Sequence, residues 1–184
     1  MAKSDNFYIR AQVITDVATE ERQETEIDLG AYVNLGLKQS TLLRVHSVQQ
    51  QICDQSGLVP LIDGAASAGI SRYAFCNTAI TTKRYIDTAD AKSMPQLNDD
   101  ATMYSAAVTG ENANPDDDNG LYSHDVDYAP QHMVGGYLVG VDTLYLYAAA
   151  DDAFAETVVV NVILECSLES ATQSNAVSLA LSQQ

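Results

Sequence analysis

Tryptophan is absent from these 184 residues, proline occurs four times, and histidine and cysteine three times each. Without an indole the chain is poorly equipped for stacking on sugars, although its ten tyrosines could substitute. Cys53, Cys76 and Cys166 form no C-x-x-C pair, and none has a histidine at zinc-ligand spacing. Because their number is odd, at least one thiol is free or pairs between chains. No apolar run approaches the roughly 20 residues that span a bilayer, so no transmembrane segment is expected. Met1-Ala2-Lys3-Ser4-Asp5-Asn6 offers no apolar h-region, so neither a signal peptide nor an anchor is expected there.

Positive charge is the scarcest commodity. Nine Lys and Arg face 25 Asp and Glu, for a formal charge of −16. No Lys/Arg cluster offsets this locally, which disfavours direct contact with phosphate backbones, and no nucleic-acid binding is expected. Self-repulsion of this size works against compactness in dilute buffer, whereas molar salt shrinks the screening length to about 3 Å. Few of the cations are Lys (Lys3, Lys38, Lys83, Lys92), and Asp outnumbers Glu. That is the composition expected of a protein working in concentrated salt.

What the chain does have is apolar residues at 46%, enough to bury a core, arranged with a period of two. Phe7, Ile9, Ala11 and Val13 share one face of a strand expected over Phe7–Val17. In Glu26–Leu37, Ile27, Leu29, Ala31, Val33, Leu35 and Leu37 share a face. Leu42–Cys53 carries apolar residues at both parities, which reads as a buried or bulged strand. Arg72–Thr81, Met103–Val108, Gly136–Val141 and Thr143–Ala148 follow as further strands. The clearest is Glu156–Leu168, with Val158, Val160, Val162, Leu164, Cys166 and Leu168 on one face. Gly57–Gly69 reads as a small-residue loop and Gly110–His132 as a long acidic excursion. Residues 169–184 form a weakly patterned tail with one short strand expected over Ala176–Leu181. With strands joined by turns and no crossover helices, the expectation is one all-β domain over residues 1–184, preceded by a short segment 1–6: an eight-stranded antiparallel jelly-roll sandwich.

Catalytic patterns do not emerge. His46 lies in a strand beside Arg44 and reads as structural. His124 and His132 share the acidic excursion with Asp125 and Asp127, in a spacing that closes no zinc site. Ser123-His124-Asp125 are merely adjacent, and a triad requires spatial convergence. Asp116, Asp117 and Asp118, followed by Gly120, distantly match a calcium loop whose glycine offset and terminal glutamate are wrong. They are kept as weak cation candidates on a solvated loop. No P-loop, nucleophile elbow or dinucleotide fingerprint occurs. No enzyme activity, cofactor or catalytic residue is therefore expected. Cys53 follows Gln49-Gln50-Gln51 and precedes the turn-like Asp54-Gln55-Ser56-Gly57. It is the thiol expected nearest the surface and the candidate for a disulfide between subunits.

The stretch Gly140-Val141-Asp142-Thr143-Leu144-Tyr145-Leu146-Tyr147, an acidic turn, and then Glu156-Thr157-Val158-Val159-Val160-Asn161-Val162-Ile163-Leu164-Glu165 resembles the last strand pair of viral capsid jelly rolls. With its length and acidic composition, the chain resembles the small major capsid proteins of haloarchaeal icosahedral viruses with an internal membrane, the sphaerolipovirus group. That resemblance implies an upright single jelly roll that pairs with itself and with a larger related jelly roll in pseudo-hexameric capsomers. It also implies penton and internal-membrane proteins as neighbours, a virion location and assembly in the host cytoplasm. Two other readings compete: a halophilic β-sandwich module binding a carbohydrate or other ligand, and a cupin-like enzyme. The second needs clustered metal ligands that three scattered histidines do not supply.

Overall fold

The computed structural model describes residues 5–36, 39–64, 70–85, 93–114, 116 and 120–183. Among them nine strands form two antiparallel sheets. The strands are β1 (Phe7–Ile14), β2 (Gln23–Asp28), β3 (Gln39–Cys53), β4 (Arg72–Thr81), β5 (Thr102–Asn112), β6 (Leu121–Tyr128), β7 (Tyr137–Val139), β8 (Thr143–Ala150) and β9 (Val159–Thr172). Sheet order is β1-β9-β3-β7 in one layer and β2-β8-β4-β5-β6 in the other. The first strand therefore pairs with the last, β2 with β8, β3 with β7 and β4 with β5. A long hairpin rolled around itself produces this nesting, which is the jelly-roll winding. Eight strands complete the roll, and β6 adds a ninth at the edge beside β5.

The pattern of two carries through to packing. In β9 Val160, Val162, Leu164 and Cys166 are all buried, while Asn161, Ile163 and Glu165 face outward. They meet Leu43, Val45 and Val48 of β3 within their own layer and, across the sandwich, Ile27, Leu144, Leu146, Cys76 and Ile80. β3 keeps both parities apolar because a bulge lies between Val45 and Ser47. Before it the odd residues Leu43 and Val45 point inward, and after it the even residue Val48 does. The one-residue slip switches the buried parity along a single strand.

Three stretches depart from the sequence expectation. β2 ends at Asp28, nine residues short of Leu37, because the Asp28 carboxylate accepts from Gly30 N–H (2.8 Å) and Asn34 Oδ1 accepts from Gly36 N–H (2.9 Å). These side chains offer the backbone local partners in place of a ladder. Ile27, Leu29 and Val33 are nonetheless buried, Ala31 is exposed, and Leu37 lies outside the described residues. The expected excursion 110–132 is mostly hairpin. β5 runs on to Asn112, and β6 follows as an edge strand with so few buried positions that no apolar alternation marks it. The expected strand at Ala176–Leu181 is instead part of helix α1 (Gln173–Ser182), begun by Thr172 Oγ1 accepting from Asn175 N–H. Only Ala176 and Ala180 are buried along it, four residues apart, too slight a stripe to announce a helix.

The antiparallel winding sends alternate connections to opposite ends. Residues 15–22, 54–64, 70–71, 113–114, 116, 120 and 151–158 share one end, tied there by the Ile62–Phe154 bridge and the Ile14–Val159–Cys53 rung. Residues 29–36, 82–85, 93–101 and 140–142 and helix α1 share the other. The two outer faces also differ. On the five-stranded sheet Tyr147 and Ala79 are outward by parity yet buried, because Arg22 lies 4.9 Å from the centre of the Tyr85 ring and 5.5 Å from that of Tyr147. Tyr85 N–H also donates to the Tyr147 hydroxyl. On the four-stranded sheet three outward rungs stay open: Tyr8–Glu165–Ser47, Arg10–Ile163–Gln49 and Gln12–Asn161–Gln51.

Candidate functional site

The end bearing residues 54–64, 70–71, 113–114, 116 and 120 concentrates exposed apolar side chains on a braced frame. Its frame is polar and well bonded. The Asp54 carboxylate, buried, accepts from Ser56 N–H (2.8 Å) and Leu58 N–H (2.7 Å), closing a turn through Gly57 at φ +84°. Asn112, also buried, donates its amide to the carbonyls of Ile62 (2.9 Å) and Asp63 (3.2 Å). The Tyr122 hydroxyl donates to the Pro60 carbonyl. Gly110 and Gly120 let Ile62 pack onto the hairpin, since a Cβ on either would meet its Cδ1 at 2.4 and 2.7 Å. Residues 58–62 are thus strapped across the sandwich end with Pro60 and Ile62 inward.

The alternate side chains must then point out. Leu58, Val59 and Leu61 are 67%, 64% and 43% exposed. Ile14, Ile70, Tyr73, Phe75 and Leu121 are exposed at the same end, Tyr73 and Leu121 flanking Glu111 on one rung. Eight of the fourteen large apolar side chains exposed among the described residues therefore lie on or beside this end. Asp16, Glu21, Asp116 and Asp152 lie in the connections at this end, where Arg72 is paired with Asp63 (3.2 Å). Burial raises the Asp151 carboxyl above its usual range, with the Asp152 charge adding to the effect.

The sequence candidates disperse. Asp116 is exposed, its N–H bonded to Asn114 Oδ1 (3.0 Å); Asp117 and Asp118 lie outside the described residues. Among the described residues no three His, Cys, Asp or Glu side chains gather as metal ligands. His124 is exposed on β6, and His132 ends a short 3-10 turn. His46 sits at the β3 bulge with its Nε2 2.8 Å from Ser167 Oγ. Cys53 is 4% exposed, deeper than its polar neighbours suggested, because the rung to Val159 seats it under the Asp54 turn. Its sulfur accepts from Asn161 Nδ2 (3.3 Å), and burial, then the Asp54 charge, raises its pKa while that bond opposes them. A disulfide to another chain would require this turn to lift.

At the other end a cleft of about 660 Å³ is lined by Lys83, Arg84, Asp142 and Tyr145. Both its cations are engaged, Lys83 with Asp99 (3.1 Å) and Arg84 with Glu24. Sequence reading missed Gln183 here. Its side chain accepts from Gly140 N–H (2.8 Å) and donates to the Leu138 carbonyl (2.7 Å), and its own carbonyl accepts from Thr82 Oγ1 (2.9 Å). No helix among the described residues is long and apolar enough to cross a membrane.

Strand order and side-chain placement together define a jelly-roll sandwich with an acidic loop end that exposes large apolar side chains. No family model matches the chain, and no curated protein is significantly similar to it. Among solved structures it is similar to the VP1 of human polyomavirus 12 in complex with 3'-sialyllactosamine, at 9% identity and a TM-score of 0.43, over 91% of this chain and 100% of that one. Similarity to apo New Jersey polyomavirus VP1 spans 91% and 100% at 11% identity and a TM-score of 0.41. The Merkel cell polyomavirus VP1 unassembled pentamer gives 90% and 94%, 9% and 0.38. Overlap this loose carries no weight for function, and the fold rests on the strand order itself.

Proposed function

We propose that this chain is a structural capsid protein without catalytic activity. In this reading it is a small single jelly roll that packs with copies of itself and with a larger related jelly roll in the pseudo-hexameric capsomers of an icosahedral shell. The acidic composition resembles that of the small major capsid proteins of the haloarchaeal internal-membrane viruses. Penton and internal-membrane proteins are then its neighbours, the virion its location and the host cytoplasm its place of assembly. The observation that carries the reading is the loop end built around Leu58, Val59 and Leu61. A fold with a filled core that still presents several large apolar side chains on a braced surface is shaped to be covered by another protein. The surrounding carboxylates make that covering depend on screening, which agrees with a chain of charge −16.

The test is to replace Leu58, Val59 and Leu61 together by Ser and to image the purified protein, with its larger partner, by electron microscopy at molar salt. The parent should form defined oligomers. The variant should keep its circular dichroism spectrum and lose them. Unchanged oligomers in the variant would remove this surface from the account.

A further inference from the structure

Arg10 is singular among the cations. Of the six described Lys and Arg, Arg44, Arg72, Lys83 and Arg84 each hold a carboxylate, and Arg22 lies against two tyrosine rings and donates to the carbonyls of Tyr85 and Ser93. Arg10 has no partner among the described residues, in a chain with 25 carboxylates. It projects from the open face of the four-stranded sheet, where the only other charge on the three rungs is Glu165. This patch is neutral on a molecule of −16 and is a place where two copies, once salt screens their overall charge, can approach without local repulsion.

The grid of that face is self-complementary. Arg10 lies on β1 in the second rung, and Glu165 lies on β9 in the first. A two-fold axis in the plane of the face, along the diagonal through Tyr8 and Ile163, carries each of these positions to within roughly 3 Å of the other, a gap that two long side chains span. Strands lie about 4.8 Å apart and alternate residues about 7 Å apart, so the operation crosses the strands of the two copies steeply, in the manner of orthogonal sheet packing. Arg10 of each copy then faces Glu165 of the other, Asn161 faces Gln49, and Tyr8 and Ile163 meet their own symmetry mates. Reciprocal contact of this kind is what an isologous interface requires. Glu165 already accepts from Asn6 Nδ2 (2.7 Å) and Ser47 Oγ (3.1 Å), which holds its carboxylate in place and leaves lone pairs for a guanidinium.

We propose that the outer face of the β1-β9-β3 layer is a two-fold interface between copies of this chain, with Arg10 of one copy paired to Glu165 of the other and Ile163 on the axis. The proposal rests on the reading that the chain assembles and assigns one surface to that assembly. The face is small, so the dimer is weak and forms at high protein concentration.

Two measurements on the full chain at molar NaCl decide it. In sedimentation velocity, Arg10→Glu and Glu165→Arg should each weaken dimerisation about tenfold, and the double exchange should restore it to near the parent. Under oxidation, Ile163→Cys and Tyr8→Cys, both on the axis, should give a covalent dimer, whereas Gln49→Cys, off the axis, should not. If the parent associates but the exchange fails to restore it and Gln49→Cys cross-links as well as Ile163→Cys, this face is wrong while assembly stands. A parent that remains monomeric, with no axial cross-link, overturns both.

Discussion

Thr78 has a hydroxyl with no hydrogen-bond partner among the described residues, in a side chain only 1% exposed between Ala106 and Ala148. Replacing it with Val keeps the shape and removes the unmet group, so Thr78→Val should stabilise the fold by about 0.5–1.5 kcal/mol in urea titration. Gly136 is the opposite case. At φ +73°, with a Cβ that would fall 2.3 Å from the Val45 carbonyl, it admits no side chain, and Gly136→Ala should cost on the order of 2 kcal/mol or more. Burial pushes the Cys76 and Cys166 thiols up to about 12, with Glu165 adding to the effect at Cys166, and burial raises the Tyr122 phenol to about 12. Thiols near 12 are about 0.01% ionised at pH 8, so they should resist a disulfide reagent until the chain unfolds. The sign of the pH effect follows. These folded values lie above the unfolded ones, near 8.5 for Cys and 10 for Tyr, so their stability is fully present at neutral pH. It is lost as pH rises from about 9 toward 12, and a melting temperature flat across that range would contradict the burial.

At the scale of elements, β1, β4, β8 and β9 were legible because an apolar alternation and a half-buried sheet have the same period. Apolar residues on both parities of Leu42–Cys53 left a buried or a bulged strand open, and the register shift between Val45 and Ser47 is the bulge. β6 and α1 were not. An edge strand such as Leu121–Tyr128 faces solvent on most of its positions, and α1 rests on two alanines, so neither needs a conspicuous stripe. β2 was overextended because Asp28 and Asn34 redirect a chain whose hydrophobic rhythm continues past them. The candidate surface was illegible for a different reason: Leu58, Val59 and Leu61 look like core residues until the Asp54 turn and the Asn112 amide are seen to hold them outward. Gln183 docks α1 onto β7, and Gln183→Ala should cost about 1–3 kcal/mol by leaving Gly140 N–H and the Leu138 carbonyl unpaired. Replacing Asp116, Asp117 and Asp118 by Asn should leave the melting curve at high salt unchanged and lower the salt at which oligomers persist, as read by light scattering.

For the whole molecule, charge and shape act together. A jelly roll with β6 at one sheet edge, an apolar loop end and a neutral outer face has three surfaces suited to neighbours, and a charge of −16 that keeps copies apart until salt screens it. Lowering NaCl from about 1 M to tens of millimolar should therefore lower the melting temperature and dissolve any oligomer, because the screening length grows from roughly 3 Å to more than 10 Å. The account stands or falls on association itself. Sedimentation velocity of the purified protein over a concentration series at molar NaCl, alone and with the larger related jelly roll proposed as its partner, tests it most directly. The account predicts discrete, concentration-dependent oligomers that revert to monomer when salt is withdrawn; a single monomeric species at every concentration, with and without the partner, would contradict it.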